Sequence, residues 1–149
     1  MRGHVRIQLF LLAWAGLLAV PVARPATCTV TTSGLNFGNY NVFSSTEDDV
    51  TATIGVNCTK RQSYTISLST GSGTFASRKM KGTVGTLAYN LFLNATHVTI
   101  WGDGTSGTST FSGTGTGAKV NTTVYGKVAA GQNVRMGTYS DSITITVTY

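Results

Sequence analysis

The sequence predicts an all-β fold, a sandwich or barrel built from short strands. Three observations carry this. Apolar and polar residues alternate over several runs, which puts one face of a strand in a core and the other in water. Clusters of Gly, Ser, Thr, Asn and Asp separate those runs. No window shows helical periodicity with caps. Only 11% of residues are charged, which suits an extracytoplasmic β domain and leaves few groups for catalysis.

Taken in order, Cys28–Thr31 reads as a short strand that Ser33-Gly34 breaks. Leu35, Phe37 and Tyr40 then serve as apolar plugs, and 44–49 (SSTEDD) as a polar turn. Val50, Ala52, Ile54, Val56 and Cys58 alternate cleanly as a second strand with its cysteine facing inward. Tyr64, Ile66 and Leu68 mark a third, and 70–74 (TGSGT) a loop. Residues 78–82 read as a short basic segment. Leu87, Tyr89, Leu91 and Leu93 make a fourth strand; Val98, Ile100 and Trp101 a short fifth. Gly102–Gly117 is a glycine-rich loop. Val120 to Val128 form a further strand.

The last strand spans Thr138–Tyr149 (TYSDSITITVTY). Tyr139, Asp141, Ile143, Ile145, Val147 and Tyr149 share one face; the other is Ser and Thr. A strand so regular at the end of the sequence is either a core strand of a closed sheet or an edge awaiting a partner, since free ends fray. Periodicity alone does not choose.

The first 26 residues read as a secretory signal peptide, cut near 23–26, followed by one domain over 27–149. Arg2, His4 and Arg6 form a basic head, Leu9–Val22 an apolar run shorter than a bilayer span, and Ala19, Ala23 and Ala26 supply small residues. A retained single-span anchor is the alternative. Without Arg2, Arg6 and Arg24, eight basic residues face five acidic ones, so the formal charge falls from +6 to +3. No basic run with interleaved aromatics remains, which argues against nucleic acid. The cysteines, Cys28 and Cys58, make an even count in an exported chain and predict one disulfide. Its loop of about 30 residues is worth roughly 3–4 kcal/mol in the chain-entropy model.

The motifs with chemical associations are weak. Gly102–Gly107 fits GxGxxG, but a dinucleotide site needs a following helix and none is predicted. Gly113–Lys119 has the wrong Gly–Lys spacing for a phosphate loop. Glu47-Asp48-Asp49 reads as a solvated turn rather than a calcium loop. Three N-x-Thr triplets, at Asn57, Asn94 and Asn121, read as chance in a Thr-rich chain. His97 is the one histidine outside the signal, so no triad, acid/base pair or zinc set can be assembled. No enzyme activity, metal or cofactor is expected.

CTVTTSGLNFGNYN, VNCTKRQSYTISLSTG, RKMKG, TLAYNLFLN, TIWGDGTSG, TVYGKVAAGQNV and TYSDSITITVTY together resemble the spore coat protein U domain family. The resemblance covers Cys28 to Tyr149. That family includes subunits of archaic chaperone–usher pili. It implies an immunoglobulin-like β-sandwich that lacks its last strand and is completed by a donor strand. The implied partners are a periplasmic pilus chaperone, an outer-membrane usher and neighbouring pilin subunits. The implied acceptor edge is Ile143, Ile145, Val147 and Tyr149, and the family disulfide maps onto Cys28 and Cys58. Polymerising members carry an apolar donor segment before the first cysteine, whereas here only Arg24–Thr27 separates Cys28 from the signal. The expectation is therefore a subunit that accepts a strand without giving one, placed at a fibre tip or ending assembly. The runners-up are a non-polymerising surface or coat protein and a self-sufficient carbohydrate- or surface-binding module using the Gly102–Gly117 loop with Trp101 and Phe111.

Overall fold

The computed structural model describes residues 25–149. The signal-peptide expectation falls almost wholly on residues 1–24, outside the described residues. Eight strands form: β1 (Cys28–Thr32), β2 (Asp48–Cys58), β3 (Ser63–Leu68), β4 (Arg78–Lys81), β5 (Thr86–Phe92), β6 (Phe111–Thr114), β7 (Val120–Val128) and β8 (Ile145–Thr148). They build a five-stranded sheet ordered β1-β2-β7-β5-β4 and a three-stranded sheet ordered β6-β3-β8. The strand pairs are antiparallel. The apolar faces of the two sheets close on a shared core that includes Ile54, Val56, Ile66, Leu91, Trp101 and Val128. This is the sandwich arrangement of the all-β class.

The alternating runs become the long strands. β2 and β7 pair without a break from Asp48 opposite Val128 to Val56 opposite Val120, and they form the spine of the larger sheet. Cys28 sits directly opposite Cys58 in the β1–β2 ladder, and the disulfide joins them. Gly126 lets the chain before β2 come close. A side chain there would meet Leu35 at 2.8 Å and Phe37 at 3.0 Å. Leu35, Phe37 and Tyr40 pack on the core as plugs, and the Phe37 ring meets Tyr89 edge-on at 5.8 Å.

Several sequence expectations need correction. The basic segment at 78–82 is a strand, β4, with Arg78 fully buried and Lys79 and Lys81 outward. The glycine-rich loop contains β6, which pairs with β3. Val98, Ile100 and Trp101 form no named strand; Ile100 and Trp101 make isolated bridges to Phe92 and Ser109, and Val98 is exposed. Trp101 cannot present itself to a carbohydrate. It is 0% exposed, and its indole N–H donates to the Ile66 carbonyl at 3.0 Å. The strand Thr138–Tyr149 shrinks to Ile145–Thr148. Its first part bridges the other sheet, with Ser140 paired to Lys81 of β4, while its last part pairs with β3. One segment cannot ladder to both sheets at once, so the regular run breaks between them.

Replacing both cysteines by alanine is expected to lower unfolding free energy by about 3 kcal/mol, from the lost constraint on the unfolded chain. Urea unfolding of the oxidised protein against the double variant checks this.

Candidate functional site

The chain leaves one side of the sandwich open. β8 pairs with β3 on one edge, and its other edge has no strand partner among the described residues. Facing it across the opening runs the segment 34–40, which makes no backbone–backbone hydrogen bond among the described residues. Its turns are held by side chains instead, as where Asn36 accepts from the Gly38 N–H at 2.9 Å. Between these two flanks lies a cleft of about 880 Å³. Its floor is the apolar face of the larger sheet, with Ala52, Ile54, Leu87, Leu91 and Val124.

The structure places the expected edge residues unevenly. Ile143 and Ile145 line the cleft. Val147 packs on the core from the same row, and all three are only half-buried. Tyr149 lies beyond β8, is 55% exposed, and does not line the cleft. The half-burial is informative because the core residues opposite, such as Ile54 at 2%, are fully covered.

Below this opening sits a polar cluster that sequence reasoning passed over. The Arg78 guanidinium donates to the Ser69 carbonyl from Nε at 3.1 Å and Nη2 at 2.9 Å. It also donates to the Trp101 carbonyl at 2.7 Å and to Asn90 Oδ1 at 2.7 Å. Asn90 donates onward to the Phe75 carbonyl at 2.9 Å. A buried cation is tolerable only when its N–H groups are so satisfied. Burial lowers the Arg78 pKa from its ordinary value. Nearby, the Tyr89 hydroxyl donates to Asp141 Oδ2 at 2.8 Å, across the gap between the sheets. Desolvation first, and then that hydrogen bond, hold the Tyr89 phenol well above the usual tyrosine range. Asp141 shares the inward phase of Ile143 and Ile145; an acid in an apolar row was the signal available in the sequence.

Of the remaining acids, Asp48 is half-buried with its Oδ2 buried and unpartnered among the described residues, and the others are exposed. Glu47 pairs with Lys127 at 2.6 Å, and Asp49 lies 3.9 Å from His97. Among the described residues, no group of three or more His, Cys, Asp or Glu could hold a metal. Likewise, no helix among them is long and apolar enough to cross a membrane.

A two-sheet all-β sandwich of this kind is shared with a solved chain. That chain comes from the CsuC–CsuE chaperone–tip adhesion subunit pre-assembly complex of the archaic chaperone–usher Csu pili of Acinetobacter baumannii. The TM-score is 0.61 at 23% identity, over 84% of this chain and 40% of that one, which speaks for the fold. The family model of the Spore Coat Protein U domain matches residues 15–146. Protein U of Myxococcus xanthus is 36% identical over 129 residues, 77% of this chain and 71% of that protein. The chain belongs to the Spore Coat Protein U domain family, as its sequence blocks suggest.

Two outcomes test the polar cluster. Arg78→Met leaves the Ser69 and Trp101 carbonyls and Asn90 without their donor and is expected to cost about 3 kcal/mol in urea unfolding. Tyr89 has a raised folded pKa, so its contribution is fully present below the unfolded value of about 10. It is lost as pH rises through the folded value. Stability measured between about pH 9 and 12 is expected to fall less steeply in Tyr89→Phe than in the parent.

Proposed function

We propose that the protein is a non-enzymatic, exported structural or adhesive subunit of a chaperone–usher-type surface pilus. It accepts a donor strand beside its C-terminal strand. The observation that supports this is the pair of unpaired backbone flanks around an apolar cleft. Strand addition fits such a gap: backbone hydrogen bonds supply affinity, and alternate side chains fill pockets. Ile143, Ile145 and Val147 are the acceptor row, and an incoming strand completes their burial. Tyr149, at the rim, contacts the end of that strand.

The partners in this reading are a periplasmic chaperone in transit, an outer-membrane usher, and a neighbouring subunit in the fibre. The Csu complex supports the first, since its description pairs a chaperone with a pilus subunit of related fold. The apolar leader, read as a signal peptide over 1–26, supports export. A second reading, a coat protein of the same fold that does not polymerise, draws on the family description and the Protein U relative.

The test is stability with and without a partner strand. Residues 27–149 alone are expected to aggregate or melt at low temperature. Co-expression with the cognate chaperone should rescue them. A 15-residue peptide alternating Val and Thr, at a hundred times its Kd, should raise Tm by about 8 °C. Ile145→Asp should abolish that gain. A lone domain that unfolds reversibly at high temperature and gains nothing from either partner contradicts the strand-accepting reading. Subunits that take a strand but never appear in fibres favour the coat protein.

A further inference from the structure

This inference rests on the strand-accepting reading and concerns what keeps one flank of the cleft ready. Segment 34–40 lines the cleft along its whole length, yet among the described residues it makes no backbone–backbone hydrogen bond. Its side-chain bonds are local, reaching one or two residues along the chain, with one exception. The Tyr40 hydroxyl donates to the Ala129 carbonyl at 3.0 Å and accepts from the Gln132 N–H at 2.8 Å. Leu35 and Phe37 add apolar packing on the core. Such packing has no direction, so the two Tyr40 bonds are what fix the segment's position.

Gln132 is itself tied to the larger sheet. The β5–β7 ladder ends where Tyr89 meets Val128. One residue further along β5, the Ala88 N–H and C=O lie past the end of β7. The Gln132 side chain takes up both. Its Oε1 accepts from the Ala88 N–H at 2.8 Å, and its Nε2 donates to the Ala88 carbonyl at 2.8 Å. A carboxamide carries the same donor and acceptor as a peptide group, so it continues the ladder by one position. Nε2 also donates to the Ala129 carbonyl at 3.1 Å, the group that Tyr40 uses. A turn at Ala130 and Gly131 brings Gln132 there, with Gly131 at φ +72°, a conformation glycine takes without strain. The loop then carries Val134 and Arg135 onto the lining of the same cleft and runs on to the terminal segment.

We propose that Tyr40 and Gln132 are positioning residues for strand acceptance. They join one flank of the cleft to the larger sheet and to the loop that leads to the other flank. Neither the hydroxyl nor the amide needs to touch the strand, because both act through segment 34–40. Without the Tyr40 hydroxyl, that segment leaves its place for part of the time, and a strand binds only the fraction of molecules in which it is still seated. Apparent Kd rises by the inverse of that fraction. The loss falls on association, since binding must then wait for the flank to return.

The experiment separates positioning from plain stabilisation. The full chain as secreted, Tyr40→Phe, Gln132→Met and the double variant are each titrated with a fluorescent 15-residue peptide alternating Val and Thr. Association and dissociation rates are read by stopped flow, and stability by urea unfolding without peptide. Tyr40→Phe keeps the ring and loses the two hydroxyl bonds. It is expected to weaken Kd about tenfold, through slower association at an unchanged dissociation rate. The double variant should bind no more weakly than Gln132→Met alone, because the two residues act as one unit. A loss of stability in urea with Kd unchanged overturns the proposal and leaves the strand-accepting reading standing, since the bonds would then support free and bound forms alike. Faster dissociation at an unchanged association rate also overturns it, because the hydroxyl would then be a contact of the complex. If the parent chain binds no peptide, the strand-accepting reading fails and the proposal falls with it. Should Gln132→Met not fold, the rates of Tyr40→Phe decide alone.

Discussion

The structure depends on one unmet constraint. Backbone N–H and C=O groups at a sheet edge need partners, and an apolar row beside them needs cover. β8 and the segment 34–40 share this deficit on opposite sides of the same cleft. β1, β4 and β6 are edges too, but away from the cleft the core is covered: β2 and β7 form an unbroken ladder, the disulfide locks β1 to β2, and Trp101 is fully buried. The incompleteness is therefore local. It sits where the last segment has left one sheet and not fully joined a partner in the other.

The polar cluster explains how the open side keeps its shape. Arg78, reaching from β4, ties the Ser69 and Trp101 carbonyls together below the cleft. Tyr89, from β5, reaches Asp141 on the crossing segment. Ser140 pairs with Lys81, and Thr144 with Ser69, on either side of that point. A purely apolar joint would stick without fixing geometry. Hydrogen bonds to Ser140, Asp141 and Thr144 fix the terminal segment in place at one side of the cleft. In the proposed strand-accepting role, preorganisation of this kind lowers the ordering cost of binding.

How much of this was legible in the sequence depended on strand length. β2, β3, β5 and β7 run long enough for alternation to show, and their inward residues were read correctly. β4 and β6 are only four residues each, and neither RKMK nor FSGT carries a period that stands out. The run from Thr138 to Tyr149 misled because its alternation is real but its pairing changes. Side-chain phase survives a switch of sheets; hydrogen bonding does not. Periodicity could place Ile143, Ile145 and Val147 on one face, yet it could not say that the face stays half open. Asp141 stood in the apolar phase in plain view. Its meaning needed Tyr89, which lies 52 residues away in sequence and only meets it through the fold.

The most direct test of the central claim is amide hydrogen exchange at the two flanks. The open-edge account predicts that amides of residues 34–40 and the outward edge of β8 exchange quickly in the isolated domain. The β2–β7 ladder should remain protected at the same time. Both flanks should become protected, to the level of that ladder, when a chaperone or donor strand is bound. Flanks already as protected as the ladder in the isolated domain would contradict the account, because the sandwich would then be complete without a partner.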